Sequence, residues 1–353
     1  MKTKRLSLLS LIFLFAFCIT SAQQPFKIFL VGDAGEDEMT GETLDSLRSS
    51  LHQNPQSAVI FLGDNSYKNT LFGLVEGFKG FDSSRITQNK LKSQLDILNG
   101  YKGSVLFVPG NHDWWNTSYK RGKPKLKMEE NFIEANLHNN TTIQNPDAVF
   151  FPKNGEPGPV SVELNNKTVR IVCIDTDWLI LLGFKDTPAE NHAREQQFYN
   201  RLDSTLAVAA SLKQTVIVVA HHPVYITGKL RTKPFKSPGF MRRIKQSSRS
   251  FPAYATMIDK LTAVFEKYPG IYYATGHLHA LQYHTVNKVH YIISGSGSKT
   301  RHMKGENIAA MGSNATDDYM IWNEKGFFEI DFSAEQATTI MHYDSGRQKA
   351  TIH

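Results

Sequence analysis

The chain has 353 residues, 41% hydrophobic and 21% charged, with two cysteines and a formal net charge of +7. Such a composition excludes a disordered chain and a small disulfide-held scaffold, and it supplies enough apolar residues for a large core. The positive charge is concentrated rather than spread. Lys2, Lys4 and Arg5 open the chain, and Lys229, Arg231, Lys233, Lys236, Arg242, Arg243, Lys245 and Arg249 fall in a stretch between His221 and Asp259 that has no acidic residue.

In chain order, residues 1–22 read as a secretory signal: a basic start, an apolar run over 6–19, and the small residues Thr20, Ser21 and Ala22 before Gln23. The apolar run is too short to favour a membrane span, so export without stable membrane insertion is expected, to a periplasmic, cell-surface or secreted location. Residues 23–353 then keep one cysteine, Cys173, inside VRIVCID, where it reads as a buried strand residue. With no disulfide possible within the mature chain, its core alone must hold it.

The body alternates short apolar strands with helical stretches. FKIFLV precedes an expected helix over 38–52; SAVIFL follows, then a helix over 88–98, then SVLFVP. PVSVELNNKTVRIVCID predicts a hairpin turning at Asn165 and Asn166. A helix over 189–206 leads to QTVIVVA, one over 254–267 leads to GIYYAT, and the tail from YMIWN to TTIMHY reads as a strand meander. Continuous Val/Ile/Phe runs indicate strands buried on both faces. The expected class is therefore α/β, a sandwich with helices covering its sheets.

In such sheets functional residues gather past the carboxyl ends of the strands. Here IFLV is followed by GDAG, IFL by GDNSY, VLFVP by GNHDWW, VIVVA by HHP and YYAT by GHLH. A single ending of this kind is ordinary turn chemistry. Five of them, all delivering carboxylate, amide or imidazole, form a donor set suited to first-row transition ions. Asp175 and Asp177 follow another strand and read as groups that pack or support the ligands, and Trp114 and Trp115 as residues that wall the pocket or pack.

The ordered set resembles the binuclear metallophosphoesterase superfamily, the calcineurin-like phosphoesterases. The resemblance implies a single catalytic domain over 23–353, with two mixed sheets flanked by helices. It also implies that Asp64 bridges two metal ions, that Asn111, His221 and His277 complete one site, and that Asp33 and His279 belong to the other. His112 then stands over the substrate with Asp113 orienting its ring, while His222 is supporting or structural. Many branches carry an Asp-x-His block, but this chain has Asp33-Ala34-Gly35. Tyr67, three residues after the bridging aspartate, is the replacement ligand, an arrangement similar to the purple acid phosphatases with their GDxG and GDxxY blocks. HHPVY is similar to the smaller, tartrate-resistant type.

A phenol titrates near pKa ~10, so a strong Lewis acid is needed to ionise it as a ligand. The resemblance therefore implies Fe(III) at Asp33, Asp64, Tyr67 and His279, and Fe(II), Zn or Mn at Asp64, Asn111, His221 and His277. The expected reaction is hydrolysis of small phosphate monoesters by a metal-bound hydroxide, with His112 serving the leaving oxygen. A phosphodiesterase or nucleotide pyrophosphatase is the alternative, and a non-catalytic metal or phosphate binder the third reading. The histidine that the purple acid phosphatases carry after the HHP block is absent between His222 and His277, which leaves Lys229 or Arg231 as candidate phosphate contacts. Aromatics are sparse in the 229–249 segment, and export argues against a nucleic-acid partner.

Overall fold

The computed structural model describes residues 26–36, 42–67, 85–138, 142–226, 251–300, 308–311, 318–333, 337–343 and 346–351. The expected signal, 1–22, and the basic segment, 229–249, lie outside the described residues. So do Lys229 and Arg231.

The chain opens with β1 (Lys27–Val31), α1 (Glu42–Gln53), β2 (Ser57–Leu62), α2 (Arg85–Asp96) and β3 (Ser104–Val108). It continues with α3 (Tyr119–His138), β4 (Val160–Leu164), β5 (Val169–Cys173), α4 (Thr176–Leu181), α5 (Ala189–Ser211) and β6 (Thr215–Val219). The remainder is α6 (Phe251–Phe265), β7 (Tyr272–Thr275), β8 (Leu281–Val286), β9 (Val289–Ser294), β10 (Ile308–Met311), β11 (Asp318–Ile321), β12 (Gly326–Asp331), β13 (Thr338–Tyr343) and β14 (Gly346–Thr351).

Two mixed sheets result. The first is ordered β14-β13-β12-β1-β2-β3 and the second β10-β11-β8-β9-β7-β6-β5-β4. Register pairs Leu30 with Ile60 and Ile60 with Leu106, so residues of like facing stack across the parallel strands. Ile28, Leu30, Ile60, Leu62, Leu106 and Val108 pack against Ile171, Cys173, Ile217, Val219, Ala274 and Ile292, which fills the space between the sheets. The alternate residues Phe29, Val31, Val59, Phe61, Val105 and Phe107 turn outward onto Leu44, Leu47 and Leu51 of α1, Leu91 of α2 and Leu126 of α3. Both faces of these strands are thus buried, at about 1.5–3 kcal/mol for each large aliphatic side chain. That is why the runs carry no polar alternation. The expected α/β sandwich, with two mixed sheets flanked by helices, is the observed one.

The hairpin at Asn165 and Asn166 is present, pairing β4 with β5 antiparallel, and both asparagines adopt left-handed φ (49° and 52°). Cys173 is fully buried, and burial pushes its thiol well up. Helix bounds differ at their ends: α2 begins before the expected 88, and α5 runs on to Ser211. The unexpected element is α3, because Gly122 and Pro124 punctuate its sequence as a loop would. Tertiary contact overrides that signal. Gly122 lies so close to Trp114 that a Cβ there would stand 2.7 Å from the Trp114 carbonyl oxygen and 2.8 Å from its ring. Leu126, Ile133 and Leu137 are buried behind it.

Candidate metal centre

β1, β2 and β3 run parallel, as do β5, β6, β7 and β9, so their carboxyl ends can meet at one edge of the sandwich. All seven sequence-predicted ligands are found there. Asp33 (φ 59°), Asp64 (φ 53°) and His277 (φ 68°) stand just past their strands in left-handed backbone. Such a conformation costs non-glycine residues about 1–3 kcal/mol each, and such strain clusters at functional sites.

Tyr67 is 2% exposed, and its hydroxyl donates to Asp33 Oδ1 at 2.7 Å and lies 3.2 Å from His279 Nε2. His279 Nε2 is 3.4 Å from the same Asp33 oxygen. Asp33, Tyr67 and His279 therefore face a common point. The neighbouring backbone shows why glycine, and not histidine, follows Asp33-Ala34. A Cβ on Gly35 would sit 2.5 Å from the carbonyl carbon of Asn65 and the nitrogen of Ser66. The Tyr67 N–H in turn donates to the Gly35 carbonyl at 3.2 Å. The loop that delivers the tyrosine occupies the room a histidine would need. Burial, with Asp33 and Asp64 beside it, holds the phenol well above its ordinary pKa, so the polypeptide alone keeps it protonated.

At the other end, Asn111 Oδ1 is 3.0 Å from His221 Nε2 and 2.9 Å from His277 Nδ1. His221 Nδ1 donates to the Leu62 carbonyl at 2.8 Å, which leaves Nε2 as the atom for a ligand. Burial works against a proton on His221, but Asp64 and Asp33 outweigh it and hold its pKa up at about 9, so an incoming ion displaces a proton there. His277, buried and beside His221, is pushed down to about 3 and is neutral.

Asp64 lies between the two ends. Its Oδ1 accepts the His112 backbone N–H at 2.8 Å and is 3.3 Å from His221 Nε2. Although burial pushes it up, His221 and His112 hold its carboxyl far below the ordinary range. Gly110 is required at this spot, because a Cβ there would lie 2.5 Å from Asp64 Oδ1. Asp33, Asp64 and His221 form one group able to hold a metal ion, and His221, His222 and His277 another. Carboxylate, phenol, amide oxygen and unhindered imidazole nitrogens, converging at two adjoining points, fit a pair of metal ions.

His112 stacks edge-on against Tyr67, with ring centroids 4.4 Å apart. Its Nε2 lies 3.0 Å from Asn116 Nδ2, which can only donate, so the neutral ring carries its proton on Nδ1. Burial, then Lys299 and His221, keep His112 below its usual pKa despite Asp64. Asp113, expected to orient the His112 ring, has its hydrogen bonds elsewhere. Asp113 accepts from the Gly110 N–H at 2.7 Å, the Asn65 amide at 3.1 Å and the Ser66 N–H at 3.2 Å. It ties the β2 and β3 loops together and leaves ring orientation to Asn116. The Asn111 amide also donates to Asn116 Oδ1, at 2.5 Å, so one asparagine sets both a metal ligand and the proton-bearing ring.

Sequence reading missed three groups. Asn116 follows the GNHD block at i+5 from Asn111, a spacing visible in the sequence. Glu129 of α3 accepts from Ser66 Oγ at 2.7 Å and is pushed up to about 7 by burial, but no local signal marks it. Lys299 stands at the end of ISGSGSK, another strand ending at the same edge. His222 is buried, with Nδ1 3.0 Å from Thr176 Oγ1 and its ring 4.5 Å from that of His277. Asp175 accepts from Trp114 Nε1 at 2.9 Å and caps α4 through the Trp178 N–H. Trp114 therefore packs, fully buried, and does not line the centre.

These features coincide with what sequence comparison finds. The calcineurin-like phosphoesterase family matches residues 26–295, and the chain belongs to that family, the metal-dependent phosphoester hydrolases. Among solved structures it is similar to GAP50, the anchor in the inner membrane complex of Plasmodium, at 17% identity and a TM-score of 0.58, covering 93% of this chain and 89% of that one. A dimetal phosphatase from Danio rerio is 15% identical with a TM-score of 0.51, covering 92% of this chain and 98% of that one. At these identities the likeness shows the fold alone. Comparison with curated protein sequences gave no match. Among the described residues, no helix is long and apolar enough to cross a membrane.

Proposed function

We propose that this chain is an exported binuclear phosphatase of the purple acid type, hydrolysing small phosphate monoesters. The observation that carries the reading is the interlock of Gly35 with the loop of Tyr67, which puts a phenol 2.7 Å from Asp33 where other branches use a histidine. Fe(III) is the ion we assign to Asp33, Asp64, Tyr67 and His279, since only a strong Lewis acid ionises a phenol held this far above its usual pKa. Fe(II), Zn or Mn is assigned to Asp64, Asn111, His221 and His277.

The bound ions supply Lewis acidity, drawing charge from the phosphoryl oxygens and acidifying water. The protein supplies the rest. Asp64 would serve as a ligand for both ions, since it stands between the two groups. His221 is aligned by the Leu62 carbonyl, and Asn111 by Asn116. His112, neutral and with its proton on Nδ1, would offer that N–H as a hydrogen bond to the charge developing on the departing oxygen, and Asn116 holds the ring while it does so.

The test is Tyr67→Phe on the full chain, with iron in the growth medium. The wild type should bind iron, show a visible tyrosinate-to-iron charge-transfer band and cleave an aryl phosphate monoester. The variant should lose the band. An unchanged spectrum and metal content would sink the purple acid assignment, and preference for a diester over a monoester would favour the alternative reading. Both metals bound with every phosphate ester left intact would favour a non-catalytic role, as an anchor or binder.

A further inference from the structure

The described residues include a cation that neither the ligand set nor the proton donor uses. Lys299 Nζ stands 3.4 Å from the centroid of the Tyr67 ring, over its face and not at its hydroxyl. The loop that carries it is pinned to the metal edge. Ser298 donates its hydroxyl to the Asp33 carbonyl at 2.6 Å, and its backbone N–H donates to the same oxygen at 3.1 Å. Lys299 is 28% exposed while Tyr67 beneath it is buried, so the side chain that covers the phenol ring keeps contact with solvent.

Its charge is only partly neutralised. Glu36 pairs with Lys299 at 2.9 Å, but the same carboxylate also faces Lys90 at 3.8 Å. Among the described residues, two ammonium groups thus share one half-exposed carboxylate. A cation held over a ligand's ring, outward from the ligand's own oxygen, is displaced from the point where metals would hold a scissile phosphoryl group. It is placed to meet an anion carried next to that group.

We propose that Lys299 is a specificity residue that binds a second anionic group on the substrate. The preferred substrates would be phosphate esters bearing a further phosphate or carboxylate beside the scissile one. The proposal rests on the phosphate-binding reading of this centre, but its test needs no turnover.

The probes are methylphosphonate and methylenediphosphonate, which present one and two anionic groups and resist hydrolysis. Their binding to the metal-loaded full chain is measured by calorimetry. Wild-type protein should prefer the diphosphonate by about tenfold, the scale of one charge-assisted contact. Lys299→Met should abolish that preference and change methylphosphonate affinity by less than about threefold, and Lys299→Arg should retain it. Glu36→Gln, which frees the ammonium, should raise the preference and serves if Lys299→Met fails to fold or to hold metal. No preference in the wild type, a preference unmoved by both variants, or equal loss of both ligands in Lys299→Met at full metal content would overturn the proposal. Wild type that leaves an aryl phosphate uncut while Lys299 still decides the diphosphonate preference would overturn the catalytic reading and not this one.

Discussion

The two sheets make unlike contributions to one centre. The first supplies every oxygen donor: Asp33 after β1, Asp64 and Tyr67 after β2, and Asn111 after β3. The second supplies every histidine in the ligand set, His221 after β6, then His277 and His279 after β7. Neither half is a binuclear site alone. The carboxylates would repel one another without the imidazoles, and the imidazoles lack the bridging anion. On the proposed ligand set, metal binding would be tied to the stacking of the sheets, and bound ions would contribute to folding as well as to reactivity.

The largest test of this division removes the group that both halves share. Asp64→Asn should reduce metal content from two ions towards none and lower phosphatase activity by more than about a thousandfold, as read by metal analysis beside turnover. Retention of both ions would mean that the sheets hold their metals independently. A smaller effect is expected from Asn116→Ala. With its amide gone, Asn111 and His112 lose a common restraint, and activity should fall about 10–100-fold while the metal content stays unchanged. Full activity in that variant would return the orientation of His112 to some other group.

The smallest effect concerns the buried acids that brace the first sheet's loops. Glu129 sits behind Asn65 and Ser66 and faces Asp113, and burial raises its carboxyl from 4.5 to about 7. A carboxyl whose folded pKa is raised binds its proton more tightly when folded. Its contribution is therefore fully present below its unfolded pKa and is lost as pH rises through about 7. In the metal-free protein, Glu129→Gln should flatten the fall in melting temperature between those two pH values, removing at most about 3 kcal/mol of pH dependence. An unaltered slope would place the proton on another group.

Much of this arrangement was legible before any coordinates. Strands buried on both faces leave a continuous apolar signature, and a ligand at a strand end sits beside that signature in sequence. Asp33, Asp64, Asn111, His221 and His277 could therefore be read locally. The roles that escaped depend on partners distant in the chain. Glu129 meets Ser66 from 63 residues away, and Ser298 reaches Asp33 across 265. Asp113 likewise spends its hydrogen bonds on Asn65 and Ser66, nearly fifty residues before it in the chain. Helix α3 was hidden by Gly122, whose value lies in contact with Trp114 and not in any turn.

The exposed Asn116 carries a practical consequence for anyone producing the protein. With Thr117 and Ser118 it forms an acceptor sequence for N-linked glycan. In a yeast, insect or mammalian secretory host, sugar attached to that amide nitrogen would replace one of its two hydrogens, crowd the contact that holds His112 and place a bulky polar group at the mouth of the centre. Material from such hosts should be soluble and folded yet catalytically poor. Bacterial expression, or Asn116 left unmodified by replacing Ser118, is the route to a faithful measurement.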